Sequence, residues 1–263
     1  MRRNLLSTLT ALALLLGGGC SREEAPDAAS SAEGRIEFQA EISAEVTQQT
    51  RAQVTLPSNY RPSSVSNFKL IIKGKENTST SEILMEYPAF SDYNTPFMDS
   101  GAYTATISYG DPEAEGPSKF CYAGTVDFEV IARKTTHTTI TAGLSNAAIS
   151  LSCGEWFNKY YTDANFVIRT ESGNSFSFPQ NSSASAPIFV KPATRLFLKG
   201  TAVKAQNGVK VEFPEYEIGK TAARSWHKIV IDASQVGEKI MLILLDDTLT
   251  EVAPVEVELN PEA

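Results

Sequence analysis

Short runs of alternating apolar and polar residues recur along this chain, and they constrain its fold more than any other feature. In one run, Tyr103, Ala105, Ile107 and Tyr109 alternate with Thr and Ser residues, and a Gly-Asp-Pro turn follows at once. Such alternation, bounded by clusters of Gly, Pro, Asn, Asp and Ser, is typical of antiparallel strands with one buried face. No long helical pattern interrupts the runs. The sequence therefore predicts an all-β fold.

The strand pattern falls into two sets. The chain has 263 residues, of which 42% are hydrophobic, so it is long enough to bury two cores. Roughly 110 to 120 residues in each set suit one seven-stranded sandwich. We therefore expect two antiparallel β-sandwich domains of immunoglobulin- or transthyretin-like type, at residues 35–143 and 144–263.

One short helix is expected near the start of the second set. Ser152 stands three residues before Glu155, which is the spacing of a capping box. Trp156 and Tyr160 follow, four residues apart, so they would share one face of a two-turn helix.

Residues 1–19 have the pattern of a secretory leader. Arg2 and Arg3 form a positive start, and the apolar run from Leu5 to Leu16 is too short to span a bilayer. Three glycines then precede Cys20. This arrangement resembles a bacterial lipoprotein signal, which implies cleavage before Cys20, acylation of that residue and permanent membrane anchoring. The alternative is an ordinary signal peptide with an incidental cysteine.

A polar segment at residues 20–34 follows, and we expect it to be a disordered tether. Glu23 and Glu24 resemble the short acidic signal that exports Bacteroidales lipoproteins across the outer membrane. The resemblance implies a lipid-anchored outer-membrane protein exposed at the cell surface. If the two carboxylates belong only to the tether, a periplasm-facing location remains the alternative.

The middle of the chain contains two motif-bearing stretches, SGAYTATISYGDP and FCYAGTVDFEVIARKTTHTTITAGLSNAAISL. Their characteristic positions are Gly101, Tyr103, Gly110, Asp111, Tyr122, Gly124, Phe128, Val130, Leu144 and Asn146. With these positions the chain resembles the domain-of-unknown-function 4493 family of Bacteroidales lipoproteins. Cys121 departs from the pattern, where an aromatic or small residue is expected. The resemblance implies an envelope protein of two sandwiches, built like fimbrial and adhesin-like lipoproteins, and it brings no catalytic residues.

Charge and residue usage argue against several functions. The formal net charge of −8 would repel phosphate backbones, so no nucleic-acid partner is expected. His137 and His227 are the only histidines, and no HExxH, CxxC, EF-hand loop or GxSxG motif is present. We therefore expect no catalytic residues, no metal, no cofactor and no enzymatic activity.

Two cysteines remain if Cys20 is acylated, namely Cys121 and Cys153. An oxidising compartment permits a disulfide between them. A hairpin centred near Lys134 would instead place Cys121 opposite about residue 147, unless the chain bends after Leu151. Two alternatives therefore stay open, namely a disulfide between Cys121 and Cys153 and two separate buried thiols.

Aromatic residues offer a candidate ligand contact. Trp156, Tyr160, Tyr161 and Trp226 would form a stacking platform for sugar rings if they were exposed together, although such residues also serve as core filler. Thr248, within Asp-Thr-Leu, resembles an acceptor of Bacteroidales protein O-glycosylation.

These observations favour a non-enzymatic, adhesin-like protein that contacts a host molecule, a glycan or an envelope partner. The first alternative is a glycan-binding accessory protein for polysaccharide capture. The second is a subunit or anchor of a fimbria-like polymer, for which the terminal strand at residues 255–259 would be donated to a neighbouring subunit.

Overall fold

β-Strands dominate the structure, as the alternating sequence predicts. The computed structural model describes residues 32–48, 53–180, 186–234, 240–243, 249–252 and 255–256. In chain order the strands are β1 (Glu33–Ile42), β2 (Glu45–Gln48), β3 (Gln53–Thr55), β4 (Lys69–Gly74), β5 (Leu84–Tyr87), β6 (Phe97–Asp99), β7 (Gly101–Tyr109), β8 (Gly116–Pro117), β9 (Tyr122–Val130), β10 (Thr135–Leu144), β11 (Ala147–Cys153), β12 (Tyr161–Thr170), β13 (Ser175–Pro179), β14 (Ile188–Val190), β15 (Arg195–Lys204), β16 (Lys210–Lys220), β17 (Ser225–Ala233), β18 (Ile240–Ile243), β19 (Leu249–Val252) and β20 (Val255–Glu256).

The helical segments are short. One α-helix, α1, spans Glu155–Tyr160, and single 3₁₀ turns occupy Ser58–Tyr60, Val65–Asn67 and Phe90–Asp92. No helix in the described ranges is long and apolar enough to cross a membrane.

A first hydrophobic core is enclosed by the strand path β5-β4-β7-β9-β10-β1-β6. Strand β10 changes partner along its length, because Thr135–Ala142 pair with β1 whereas only Gly143 and Leu144 pair with β9. Gly124 on β9 permits this crossing, since a Cβ there would lie 2.3 Å from the carbonyl oxygen of Thr141. We call the strands of this path the first unit.

A second core lies between two further sheets. One follows the order β19-β18-β17-β11-β14-β8, with β2 and β3 attached at β17, and the other follows the order β13-β12-β15-β16-β20. Buried side chains of β11, β12, β15 and β17 fill the space between the sheets. We call these two sheets without β2, β3 and β8 the second unit, and we count those three strands, which come from the first half of the chain, with the first unit. The two units together give the all-β sandwich architecture.

Strand β11 contributes to both cores. Ala147 and Ile149 face the second core, whereas Ala148 between them faces the first core. Strand β14 repeats the arrangement, because Ile188 belongs to the second core and the fully buried Phe189 to the first. Successive strand residues point to opposite faces, so one sheet separates the cores and serves as a wall of each.

Most strand pairs are antiparallel, but three pairs run parallel. Strand β1 pairs in parallel with β10 from Arg35 opposite Thr135 to Ile42 opposite Ala142. Strand β17 pairs in parallel with β11 and with β2. Alternation of apolar residues indicates which face of a strand is buried but carries no information on strand direction. The sequence pattern therefore could not reveal the three parallel pairs.

The helix forms where the sequence places it, but its cap differs from the expected one. Gly154, not Ser152, stands at the N-cap position, and no side chain of the cap residue closes it. The carboxylate of Asp232, on β17, instead accepts a hydrogen bond of 2.9 Å from the amide of Phe157. A Cβ at position 154 would lie 2.3 Å from the Asp232 carboxyl carbon, so glycine is needed for this contact.

Candidate binding groove

The outer face of the β12-β15-β16 sheet carries polar side chains in rows that run across the strands. Asn165, Thr201 and Glu212 are in register on neighbouring strands and form the central row. Val203 and Lys210 continue the face on one side of this row. All three members of the central row are exposed.

Two β-bulges shape this face. On β12, Asp163 and Ala164 together oppose Ala202, and Asp163 has a left-handed backbone with φ of 49°. On β16, Pro214 and Glu215 together oppose Lys199. A bulge bends its strand and redirects nearby side chains, and bulges are common beside functional sites. Proline is tolerated at a bulge because the extra residue is left unpaired.

The bulges border two depressions of about 390 Å³ and 430 Å³. Both are lined by Thr201 and Glu212, so they adjoin at these residues and together make a groove across three strands. We call it the cross-sheet groove. Its lining residues are Asp163, Asn165, Val167, Lys199, Gly200, Thr201, Ala202, Val203, Lys210, Val211, Glu212, Phe213, Pro214 and Glu215.

A charged cluster lies at one end of the groove. The Arg169 guanidinium donates to both carboxylate oxygens of Glu215, at 2.6 Å and 3.0 Å, and these hydrogen bonds lower the pKa of Glu215. The same guanidinium lies 4.2 Å from the ring centroid of Phe197. At the centre, Ser177 donates to the amide oxygen of Asn165 at 2.6 Å and fixes the orientation of that side chain.

A second polar cluster joins the two units. Glu115, between β7 and β8, accepts hydrogen bonds from Thr170, Ser172 and Asn174, and from the amide of Lys191. Burial alone would raise the pKa of Glu115, but these hydrogen bonds outweigh it and lower the pKa. A carboxylate from the loop before β8 is thus held ionised in the second unit.

Aromatic and main-chain contacts complete this junction. The ring of Phe189 lies 5.9 Å from that of Tyr60 and 5.7 Å from that of Phe120. Strand β8 pairs with β14, and β2 pairs with β17. We call these contacts, together with those of Glu115, the inter-unit junction.

The family model described as a domain of unknown function, DUF4493, matches residues 32–261. The chain belongs to the DUF4493 family. The match spans both units of the structure and confirms the family that the motifs between Gly101 and Asn146 indicate. No curated protein matches this DUF4493 chain.

Several solved structures from Bacteroidales resemble this DUF4493 chain in fold. A fimbrial assembly protein from Parabacteroides distasonis has 8% identity and a TM-score of 0.46, with 83% of this chain and 98% of that chain covered. A candidate polysaccharide-binding protein from Bacteroides thetaiotaomicron has 8% identity and a TM-score of 0.43, with the same coverage. A candidate cell adhesion protein from Bacteroides ovatus has 10% identity and a TM-score of 0.41, with 87% and 100% covered.

The four aromatic residues singled out in the DUF4493 sequence are divided between the two cores. Tyr161 is buried in the second core, and Trp156 and Tyr160 pack against that core with their rings stacked at 6.4 Å. Trp226 packs against the first core, and its indole donates to Ser150 at 3.1 Å. The structure therefore does not bring the four together as one platform.

Both described cysteines are free thiols. Cys121 is buried, and its sulfur donates to the carbonyl oxygen of Asp111 at 3.1 Å. Cys153 packs against the second core, where burial, and then the nearby Asp232 carboxylate, raise its pKa to about 11. Ser145 rather than residue 147 faces Cys121, through an amide hydrogen bond of 2.7 Å.

The remaining predicted site residues fall mostly outside the described part of the DUF4493 chain. Cys20, Glu23, Glu24 and Thr248 lie there, as do residues 257–259 of the terminal strand. Val255 and Glu256 are described, and they pair with Glu212 and Val211 of β16. The described residues contain no group of three His, Cys, Asp or Glu side chains that could hold a metal ion.

The cross-sheet groove was not among the sites expected from the sequence, although a signal for it exists. The buried positions of β12 run from Tyr161 to Ala164 and then to Phe166, a step of three followed by a step of two. On β16 they run from Phe213 to Ile218, a step of five. Odd steps in an alternating pattern mark the bulges that border the groove.

Proposed function

We propose that this DUF4493 chain is a lipid-anchored, adhesin-like outer-membrane protein that is exposed at the cell surface. It would bind a host molecule, a glycan or an envelope partner and catalyse no reaction. Acyl chains on Cys20 would anchor it, the residues up to about 34 would form the tether, and the two units would carry the binding surface.

The observation that carries this proposal is that the first strand and the cross-sheet groove belong to different units. The described chain begins at β1 in the first unit, while the cross-sheet groove lies on the outer sheet of the second unit. The inter-unit junction fixes the two units to each other through paired strands, Phe189 and Glu115. An attachment point on one unit and a binding surface on the other suit a protein that presents a ligand site away from a membrane.

Protease shaving of intact cells tests the location. We expect external protease to cleave the wild-type chain on intact cells. A Cys20→Ala variant is expected to lose membrane attachment, because the acylated sulfur is absent. A Glu23→Ala, Glu24→Ala double variant is expected to stay anchored and become protected from protease, because the export signal is lost.

Each arm has an outcome that contradicts the proposal. A wild-type chain that is cut only after lysis would place the protein in the periplasm and refute surface exposure. A Cys20→Ala variant that remains in the membrane fraction after a carbonate wash would refute the lipid anchor. Radiolabelled palmitate incorporation into the wild type, with none in the variant, provides an independent readout of acylation.

A further inference from the structure

We propose that the cross-sheet groove binds a neutral oligosaccharide. This inference deepens the proposed function and takes its biological setting from it. The binding chemistry is independent of anchoring, because every group that carries it lies on β12, β15 and β16 of the second unit.

The backbone at the centre of the groove is already paired on both sides. In the centre of the groove, Thr201 on β15 is paired with Asn165 on one side and with Glu212 on the other. Backbone donors and acceptors of a strand paired on both sides are already used. A peptide that binds by adding a strand needs a free sheet edge, so the centre of the groove must recognise its ligand through side chains.

The groove presents polar side chains that can contact a ligand. Within the described chain, the side chains of Asp163, Thr201, Lys210 and Glu212 take part in none of the hydrogen bonds or ion pairs, and each is exposed. Carboxylates accept, an ammonium group donates and a hydroxyl does both. Sugar hydroxyls also donate and accept, and several of them project from each ring, so a face that mixes donors and acceptors at strand spacing complements them.

Positive and negative side chains balance each other in and beside the groove. The groove contains three carboxylates, on Asp163, Glu212 and Glu215, and two ammonium groups, on Lys199 and Lys210. Arg169 pairs with Glu215 at the end of the groove and compensates the excess negative charge. With neither sign in excess, the groove lining offers no local preference for a cationic ligand, while the net charge of −8 disfavours phosphorylated and sulfated ligands at long range. A neutral ligand with many hydroxyl groups fits this balance.

The groove also contains apolar side chains. Val167, Val203 and Pro214 lie among the polar groups of the groove. They offer patches against which the C–H faces of a pyranose ring can pack. Ligand sites in proteins combine apolar surface with a few polar groups that fix orientation, and their volumes begin near 300 Å³.

The test uses the purified chain from residue 20 with Cys20→Ala, which removes acylation and keeps the rest of the mature protein. It is applied to an array of neutral and sulfated oligosaccharides of two to six sugar units, and titration calorimetry follows for the strongest neutral probe. Thr201→Val and Glu212→Gln preserve side-chain size and remove, respectively, a hydroxyl and a charge from the groove. Thr125→Val is the matched control, because Thr125 is an exposed strand threonine of the first unit that pairs with Thr106.

We expect the parent protein to bind neutral oligosaccharides, each groove variant to weaken binding about tenfold, and Thr125→Val to bind like the parent. Thermal unfolding of each variant checks that the fold is retained. If no neutral probe binds, if only sulfated probes bind, or if both folded groove variants bind like the parent, the inference is wrong. None of these results alters the shaving experiment, so failure of the groove and failure of the surface location are separately visible.

Discussion

His227 and Ser225 lie next to each other on one face of β17, and both are buried. The hydroxyl oxygen of Ser225 is 2.7 Å from Nε2 of His227, while Nδ1 of the same ring has no hydrogen-bond partner in the described structure. A Ser–His pair of this kind lacks the third group that orients the imidazole in hydrolases. Burial lowers the pKa of His227 to about 4, so the ring is neutral at neutral pH.

This burial predicts acid sensitivity. The folded pKa of His227 lies below the usual unfolded value of about 6.5, so its stabilising effect is complete above pH 6.5 and is lost as pH falls from there towards 4. Between pH 7 and pH 4.5 we expect His227 to account for a loss of about 2 to 3 kcal/mol in the free energy of unfolding. Urea unfolding at both pH values, for the wild type and His227→Leu, measures this contribution.

His137 supplies the matched control, because its ring is exposed and lies 3.1 Å from the Glu37 carboxylate. A His137→Leu variant should keep the acid sensitivity of the wild type. Equal pH dependence in His227→Leu and the wild type would show that the ring is not buried as described.

The reactivity of the two cysteines tests whether they are free, buried thiols. Cys121 and Cys153 are unbonded, and burial raises the pKa of both. Alkylation of the denatured chain without reductant should therefore attach a label to each of them, whereas the folded chain should react slowly at pH 8 because little thiolate is present. Mass spectrometry reads the number of labels. A denatured chain that takes up label at neither cysteine until reductant is added would establish a disulfide.

The short helix shows what local sequence can and cannot predict. Aromatic spacing places α1 correctly, because helix periodicity is a local property. The capping residue is missed, because Asp232 lies on β17, far away in sequence, and reaches the Phe157 amide only after the sheet has formed. Ser152 fits the capping-box spacing but belongs to β11.

Substitutions at Asp232 and at Ser152 test which of the two residues caps helix α1. Asp232→Ala removes the acceptor for the Phe157 amide and should lower the free energy of unfolding by about 1 to 2 kcal/mol. Asp232→Asn keeps an acceptor oxygen and should recover part of the loss. Ser152→Ala, at the exposed position that the sequence suggests, should change stability by less than about 0.5 kcal/mol. A larger effect at Ser152 than at Asp232, in urea unfolding, would overturn the observed cap.

Strand positions were largely predictable, whereas strand pairing was not. Alternation places the strands at Gly101–Tyr109 and Thr135–Leu144 well, because burial of one face imposes a period of two. The expected hairpin of β9 with β10 exists only at its far end, because most of β10 pairs with β1. Which distant strands meet depends on the packing of the entire core, and no local pattern records it.

The inter-unit junction shows the same limit for the arrangement of the two units. Leu144 lies in the first core and Ala147 in the second, but Ala148 faces the first core again, so one strand serves both units. The sequence did not predict that β2 and β8, from the first half of the chain, pair with strands of the second unit. Glu115, the polar centre of the junction, is equally unmarked, because its partners at Thr170, Ser172 and Asn174 are distant in sequence.

Glu115 is expected to stabilise the junction at neutral pH. Glu115→Gln keeps the shape of the side chain but places an amide donor where four donors converge, so we expect a loss of about 1 to 3 kcal/mol in the free energy of unfolding. Because the pKa of Glu115 is lowered, its contribution is present at neutral pH and disappears as acid protonates the carboxylate. Urea unfolding at pH 7 measures the loss.

Glu113→Gln is the control, since Glu113 pairs with the side chain of Lys191 at an exposed position and should contribute less than about 1 kcal/mol. A Glu115→Gln variant as stable as Glu113→Gln would mean that the Glu115 contacts contribute no more to the junction than an exposed ion pair does.

The parallel pairing of β1 with β10 has a mechanical consequence. If the chain is tethered ahead of β1 and the second unit holds a ligand, as proposed above, a pull between them would act on the start of β1 and on the end of β10. In a parallel pair these points lie at opposite ends, so the force slides the two strands past each other. The hydrogen bonds between Arg35–Ile42 and Thr135–Ala142 then bear the load together and cannot open one after another. Because β1 runs parallel to β10, the first unit would resist unfolding by such a pulling force.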